Sequence, residues 1–187
     1  MKKLLCLVLA LLCVATAAMA SSVPSKSTAD MVTVQVQGDN IPASFTVAPV
    51  VDGAQVEACQ AEIAKLAASA SVEDYFGQVT DAFGNTVSLS ALLGTSSLSV
   101  NEFMPIAVPE YDASYGAAKV TFQFSTPYAA GEEVLALIGI EDVFGDVAWT
   151  ALDGVGTGVN GGVEIDFTSD VLLAMQGSDC LMAIVSK

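Results

Sequence analysis

Lys119-Val120-Thr121-Phe122-Gln123-Phe124 alternates without a break, placing Val120, Phe122 and Phe124 on one face and Lys119, Thr121 and Gln123 on the other. Successive strand side chains point to opposite sides of a sheet, so a period of two marks a strand with one buried and one wet face. Further on, Asn160-Gly161-Gly162 separates segment 155–159 from Val163-Glu164-Ile165-Asp166-Phe167. Such a turn supplies the positive φ that a tight hairpin needs. Working outward, segments 101–108, 118–124, 134–140, 147–152, 163–167 and 181–185 are strand-like and evenly spaced. Trp149 groups by alternation with Val147 and Ala151, which assigns it to the core. Thr168-Ser169-Asp170 caps a helical turn over 171–175. Together these features predict an antiparallel, immunoglobulin-like β-sandwich over residues 98–187.

The part before it, 31–97, reads as mixed α/β, so the fold class is α+β with β dominant. Met31-Val32-Thr33-Val34-Gln35-Val36 alternates, and Ser44-Phe45-Thr46-Val47-Ala48 follows the loop Gly38-Asp39-Asn40. The pair is expected to form a hairpin. Asp52 is placed to cap a helix reaching about Ser69, with an apolar stripe of Val56, Cys59, Ile63, Leu66 and Ala67. Ser71-Val72-Glu73-Asp74 is a capping signal for a short helix ending near Gly77. Residues 78–89 form a small hairpin around Asp81-Ala82-Phe83-Gly84-Asn85, and a helical turn over 90–93 stops at Gly94.

The chain opens with Met1-Lys2-Lys3, an apolar run from Leu4 to Val14, and small residues ending in Ala18-Met19-Ala20. That order predicts a secretory signal peptide over 1–20, cut between Ala20 and Ser21. The apolar run is short for a retained membrane helix, which needs roughly 20 residues. Cys13 follows Leu12, not the small residue a lipoprotein site needs, so Cys6 and Cys13 leave with the signal. Residues 21–30, SSVPSKSTAD, form a flexible leader, and no membrane insertion is expected after cleavage.

Cleavage leaves four lysines against 21 acidic residues, a net charge of −17, with no arginine and no histidine. Nucleic acids and anionic membranes are held by Lys and Arg, so both are excluded as partners. Without histidine, Ser-His-Asp and Cys-His catalysis and His-based zinc sites cannot be built. Two cysteines remain in an oxidising compartment, and Cys59 and Cys180 are expected to pair as a disulfide closing a loop of about 120 residues. Two separately buried thiols are the alternative.

Tyr75-Phe76-Gly77, Asp81-Ala82-Phe83-Gly84-Asn85, Val100-Asn101-Glu102-Phe103 and the closing Ala183-Ile184-Val185-Ser186-Lys187 follow one another in a loose pattern over about 72–187. In this the chain resembles small exported bacterial proteins of unassigned function. The resemblance implies an exported bacterial setting and no activity.

Glu132-Glu133, Glu141-Asp142 with Asp146, and Asp81 are acids that would suit calcium, but no complete calcium-loop pattern surrounds them. Glu110 and Asp112, beside Tyr111 and Tyr115, are the most suggestive pair for a carboxylate-based glycan hydrolase. Their spacing of two, however, is that of any solvated strand. The glycine-rich stretch 153–162 leads into an acidic strand, which makes it a hairpin and not a phosphate loop. No catalytic set, metal site or cofactor is expected. Tyr111, Tyr115 and Tyr128 lie in loop-like stretches and are the aromatics expected to form an exposed contact surface, around 111–115 and 126–131. The sequence therefore points to a secreted or envelope-associated, non-enzymatic module binding a protein or glycan. The alternative is a structural subunit of a surface assembly, a homo-oligomer pairing through edge strand 31–37.

Overall fold

The computed structural model describes residues 31–125, 127–142, 144–158 and 161–187. The expected signal peptide with its Ala20-Ser21 junction, the leader 21–30 and Asn160 of the hairpin turn lie outside them. The strands are β1 (Met31–Gln37), β2 (Ala48–Pro49), β3 (Val79–Asp81), β4 (Thr86–Val87), β5 (Ser99–Ala107), β6 (Ala118–Phe124), β7 (Glu133–Glu141), β8 (Val147–Gly156), β9 (Gly162–Phe167) and β10 (Cys180–Ser186). The helices are α1 (Ala54–Ala68), α2 (Val72–Phe76), α3 (Leu89–Leu93) and α4 (Ser169–Met175). The molecule is thus β-dominant α+β, built on one large, mainly antiparallel sheet.

That sheet corrects two expectations. Its strands run β1-β6-β9-β8-β7-β10-β5-β2 in one continuous ladder, curled into a nearly closed, barrel-like form in place of the two-sheet sandwich. Strand number and spacing are the same for a sandwich and a barrel; only the choice of pairing partner separates them. Here residues 149–151 of β8 pair with β3 in parallel, while 154–156 pair with β9, so the ladder forks without breaking. The second correction concerns the expected hairpin of the N-terminal strand pair. β1 pairs with β6, whereas Ala48 and Pro49 pair with β5 at the other end of the ladder. Phe45 and Val47 explain the crossing, because both are buried in the barrel interior and draw segment 41–47 across its open seam. Parts 31–97 and 98–187 accordingly share one sheet.

Two apolar cores lie on the two sides of this sheet. The inner one gathers Val120, Phe122 and Phe124 of β6 with Val163, Ile165 and Phe167 of β9, Ile138 of β7 and Ile184 of β10. The outer one sets Phe103, Leu135, Leu137, Trp149, Ala183 and Val185 beneath the helices, which contribute Cys59, Leu66, Phe76, Leu89 and Leu93. β10 is buried along its whole length, which is why its sequence is a continuous apolar run while β6 alternates. Each fully buried Leu, Ile or Phe contributes roughly 1.5–3 kcal/mol, so both cores matter to stability. Trp149 is a core residue, as expected. Its ring lies on Gly139 of β7, where a Cβ would stand 2.6 Å from Trp149 Cζ3, and it meets Phe76 edge-on at 4.8 Å.

Local chemistry fixes the helix ends. Ser71 accepts from the Asp74 N–H and Thr168 from the Val171 N–H, the caps read from the sequence. By contrast, α1 starts after Gly53 with no side-chain cap, so Asp52 does not have the role expected of it.

Candidate functional site

Cys59 and Cys180 are free thiols, which corrects the expected disulfide. Cys59 on α1 belongs to the outer core and Cys180, at the start of β10, to the inner one, so the sheet comes between them. Cys180 Sγ sits 3.4 Å from the Ser178 carbonyl and 3.6 Å from that of Met175, to which its thiol donates. Burial pushes both thiols up to about 12, with Glu62 adding at Cys59 and Asp179 at Cys180. Neither is therefore poised as a nucleophile.

The tyrosines are also placed differently from the expectation. Tyr111 is only 6% exposed and Tyr128 3%, while Tyr115 is half-buried against the inner core. The Tyr111 hydroxyl donates to the Gly116 carbonyl at 2.7 Å and lies 2.8 Å from Ser169 Oγ. Its ring meets Phe45 at 5.7 Å and Tyr115 at 5.8 Å, both edge-on. These loops close the ends of the barrel, and an aromatic ring in such a loop fills the interior in preference to facing water. Tyr128 packs against Phe124 at 6.0 Å, and its hydroxyl has no hydrogen-bond partner among the described residues. The Asn101 amide is directed at Ser186 Oγ, 2.8 Å away, and makes no bond of good geometry to Tyr128. Burial, with Glu102 nearby, raises the Tyr128 phenol well above its usual range.

Glu110 and Asp112 lie in a loop after β5 and not on a strand face. Asp112 Oδ1 accepts from the Ser114 N–H at 2.8 Å, capping a 3-10 turn at Ala113–Tyr115, and the contact with Ser114 holds its carboxyl below the usual range. Among the described residues, no group of three acids, cysteines or histidines is arranged to hold a metal ion.

Asp81 and Asp142 each organise a turn. Asp81-Ala82-Phe83-Gly84-Asn85 and Asp142-Val143-Phe144-Gly145-Asp146 are the same motif, Asp-x-Phe-Gly-Asn/Asp, used twice. Asp81 Oδ1 accepts from the N–H groups of Phe83 (2.9 Å) and Asn85 (2.8 Å). Asp142 Oδ1 accepts from those of Phe144 (2.8 Å) and Asp146 (3.0 Å) in the same way. The glycines stand at φ 83° and 85°, a left-handed conformation that costs glycine little. Each aspartate also closes the turn through its own backbone, Gly84 N–H to Asp81 O and Gly145 N–H to Asp142 O. Bonds from the Asn85 side chain and backbone hold the Asp81 carboxyl below its usual range. At the crest of each turn the phenylalanine is 87% exposed. Sequence reasoning missed this pair, although an internal comparison of five-residue windows would have found it.

The turns point in opposite directions. Turn 142–146 joins β7 to β8 just before Val147, whereas β3 runs parallel to β8, with Asp81 opposite Ala151, and sends turn 81–85 toward the Gly156 end. Beside the first turn, between α1 and the ends of β7, β8 and β10, is a groove of about 360 Å³. Its apolar lining is Ala54, Ala58 and Ala61 of α1 with Val147, Cys180 and Leu181, and Gly145 of the turn also lines it. Glu62, Glu141, Asp179 and Lys65 stand at the rim. A hydrogen bond from Gln55 Nε2 to Asp179 Oδ1 ties the helix across it. Lys65 Nζ is 2.5 Å from Glu62 Oε1, and that carboxylate, with Glu141 and Asp146 further off, raises the Lys65 pKa. Both cysteines are buried and the sequence has no histidine.

No family model matches the chain, and neither a curated protein nor a solved structure matches it.

Proposed function

We propose that the protein is a non-enzymatic binding module of the cell exterior, exported with cleavage between Ala20 and Ser21, that engages a protein or glycan partner through its Phe83 and Phe144 turns. The observation that carries this reading is the repeated turn: two rings, each 87% exposed, on loops fixed by the same set of hydrogen bonds. A scattered exposed apolar residue needs no explanation, but one presentation made twice is a feature of design. Aromatic anchors on pre-ordered loops lose little conformational entropy on binding and are enriched at interface centres. The buried thiols and the sealed tyrosines support contact chemistry over catalysis.

The test replaces Phe83 or Phe144 by a benzophenone-bearing phenylalanine and irradiates the protein on the cells that produce it, with exposed Leu173 as the control position. Adducts at 83 or 144 in excess of those at 173 support the reading; equal yields at all three overturn it.

One observation favours the alternative, a subunit of a surface assembly. β1 ends the ladder, and its residues 31–37 contain no charge and no proline, the devices that usually blunt an edge strand.

A further inference from the structure

The groove between α1 and the ends of β7, β8 and β10 joins an apolar lining to a surplus of negative charge at its rim. We propose that it takes a lysine or arginine side chain of a basic protein partner, with the stem along the alanines of α1 and the cationic head on Glu141 and Asp179. This rests on the reading of the protein as a contact module and gives its partner a chemistry.

The rim charges set the sign of the occupant. Glu62 is already engaged, with Oε1 on Lys65 Nζ and Oε2 accepting from the Tyr75 hydroxyl at 2.8 Å. That pairing neutralises Lys65 and leaves Glu141 and Asp179 in excess. The Glu141 N–H donates to the Asp179 carbonyl at 3.4 Å, which brings the two residues side by side. Asp179 accepts from Gln55 through Oδ1 alone, and the Glu141 carboxylate has no hydrogen-bond partner among the described residues. Acceptor capacity is therefore open on two like charges, and a cation between them satisfies both.

The lining sets the shape of the occupant. Ala54, Ala58 and Ala61 follow one another at helical spacing and leave about 360 Å³ open where longer side chains would fill it. Lysine and arginine lay a methylene stem on apolar surface and carry the charge to its edge. An amino sugar, whose ammonium is attached directly to a polar ring, has no such stem. The rest of the surface selects the same partner. Among the described residues, Lys65, Lys119 and Lys187 are each paired with a carboxylate, and the mature chain carries a net charge of −17. A basic protein is steered toward such a surface, and an acidic one, a second copy included, is repelled. Gly145 lines the groove and exposed Phe144 precedes it in the chain, so the cation slot and one aromatic turn share an end of the molecule.

The test is calorimetric titration of the purified protein, at physiological salt, with a short peptide of alternating lysine and serine, while the alanine methyl groups are followed by NMR. The expected result is binding that shifts the methyls of Ala54, Ala58 and Ala61. Glu141→Gln combined with Asp179→Asn should weaken it by about tenfold, and Ala58→Trp, which fills the slot from an exposed position, should do so with no change of charge. Asp39→Asn combined with Glu110→Gln removes the same charge from exposed positions that do not line the groove, and should leave affinity within about twofold. The same peptide with its lysines acetylated keeps the stems and should not bind. The free amine n-butylammonium should bind at least about tenfold more weakly, because it brings no further contacts. Equal weakening by the two charge-neutralising pairs would reduce the effect to general acidity and overturn the inference. So would an unchanged affinity in Ala58→Trp, or n-butylammonium binding as tightly as the peptide, which would make the groove a free-amine site. No binding of the peptide, with crosslinking still in excess at 83 or 144, would overturn this inference and leave the binding-module reading standing.

Discussion

Tyr111 and Phe83 are both aromatic residues in loops, yet Tyr111 is 6% exposed and Phe83 is 87% exposed. The more polar ring is the one inside. The difference lies in what each loop is built to do. The loop after β5 closes an end of the barrel, and Tyr111 fills it while its hydroxyl finds the Gly116 carbonyl and Ser169. The turn after β3 is complete without its ring, since Asp81 satisfies the turn's own N–H groups. Side-chain polarity is thus a poor guide to which loop aromatic faces out, and the hydrogen bonding of the loop backbone is a better one.

The largest effect that could break this comparison is on stability. Tyr111→Ala should cost about 3–5 kcal/mol, as truncation of a buried aromatic does. Phe83→Ala and Phe144→Ala should each stay within about 0.5 kcal/mol of the parent, as exposed substitutions do. Urea denaturation of the three variants measures both. A Tyr111→Ala protein as stable as the parent would mean that the ring is not part of the core.

Next comes the contrast between sealed and presented groups at the cysteines. With both thiols pushed up to about 12 by burial, their thiolate fraction at neutral pH falls far below that of an ordinary cysteine. Alkylation should accordingly be slow in the native protein, then label Cys59 and Cys180 together on denaturation without reductant. Mass spectrometry after each treatment gives the answer: two labels confirm free thiols, and no label until reductant is added would restore the disulfide.

The legible parts of this chain were those decided by neighbours in sequence. The alternation at 119–124, the caps at Ser71 and Thr168, the hairpin at 78–89 and the buried Trp149 all follow from spacing within a few residues. Partner choice did not, because nothing local to 31–37 says that it pairs with 118–124 in preference to 44–48; the burial of Phe45 and Val47 decides that. The disulfide expectation failed for a related reason. An inward-facing cysteine on α1 and one on β10 both looked buried, but sequence does not say on which side of a curled sheet each lies. The Phe83 and Phe144 turns are written in the sequence as a repeat, legible only when the two five-residue stretches 81–85 and 142–146 are set side by side.

The smallest effect sharpens the comparison to a single atom. Tyr111 and Tyr128 are both buried, but the Tyr111 hydroxyl is bonded and the Tyr128 hydroxyl is not, among the described residues. Removing a satisfied hydroxyl forfeits its bonds and strands the Gly116 carbonyl, so Tyr111→Phe should destabilise by about 1–2 kcal/mol. Removing an unsatisfied one relieves a desolvation cost and strands nothing, so Tyr128→Phe should be neutral or stabilising by up to about 1 kcal/mol. The same urea experiment separates them, since both changes keep the ring and its packing. If Tyr128→Phe proves as costly as Tyr111→Phe, then the Tyr128 hydroxyl is bonded in solution, and Asn101, whose amide is directed at Ser186, is the residue whose rotation would supply the partner. In that case Asn101→Ala should reproduce the loss in the tyrosine background and add nothing in Tyr128→Phe, the non-additivity of two groups sharing one bond.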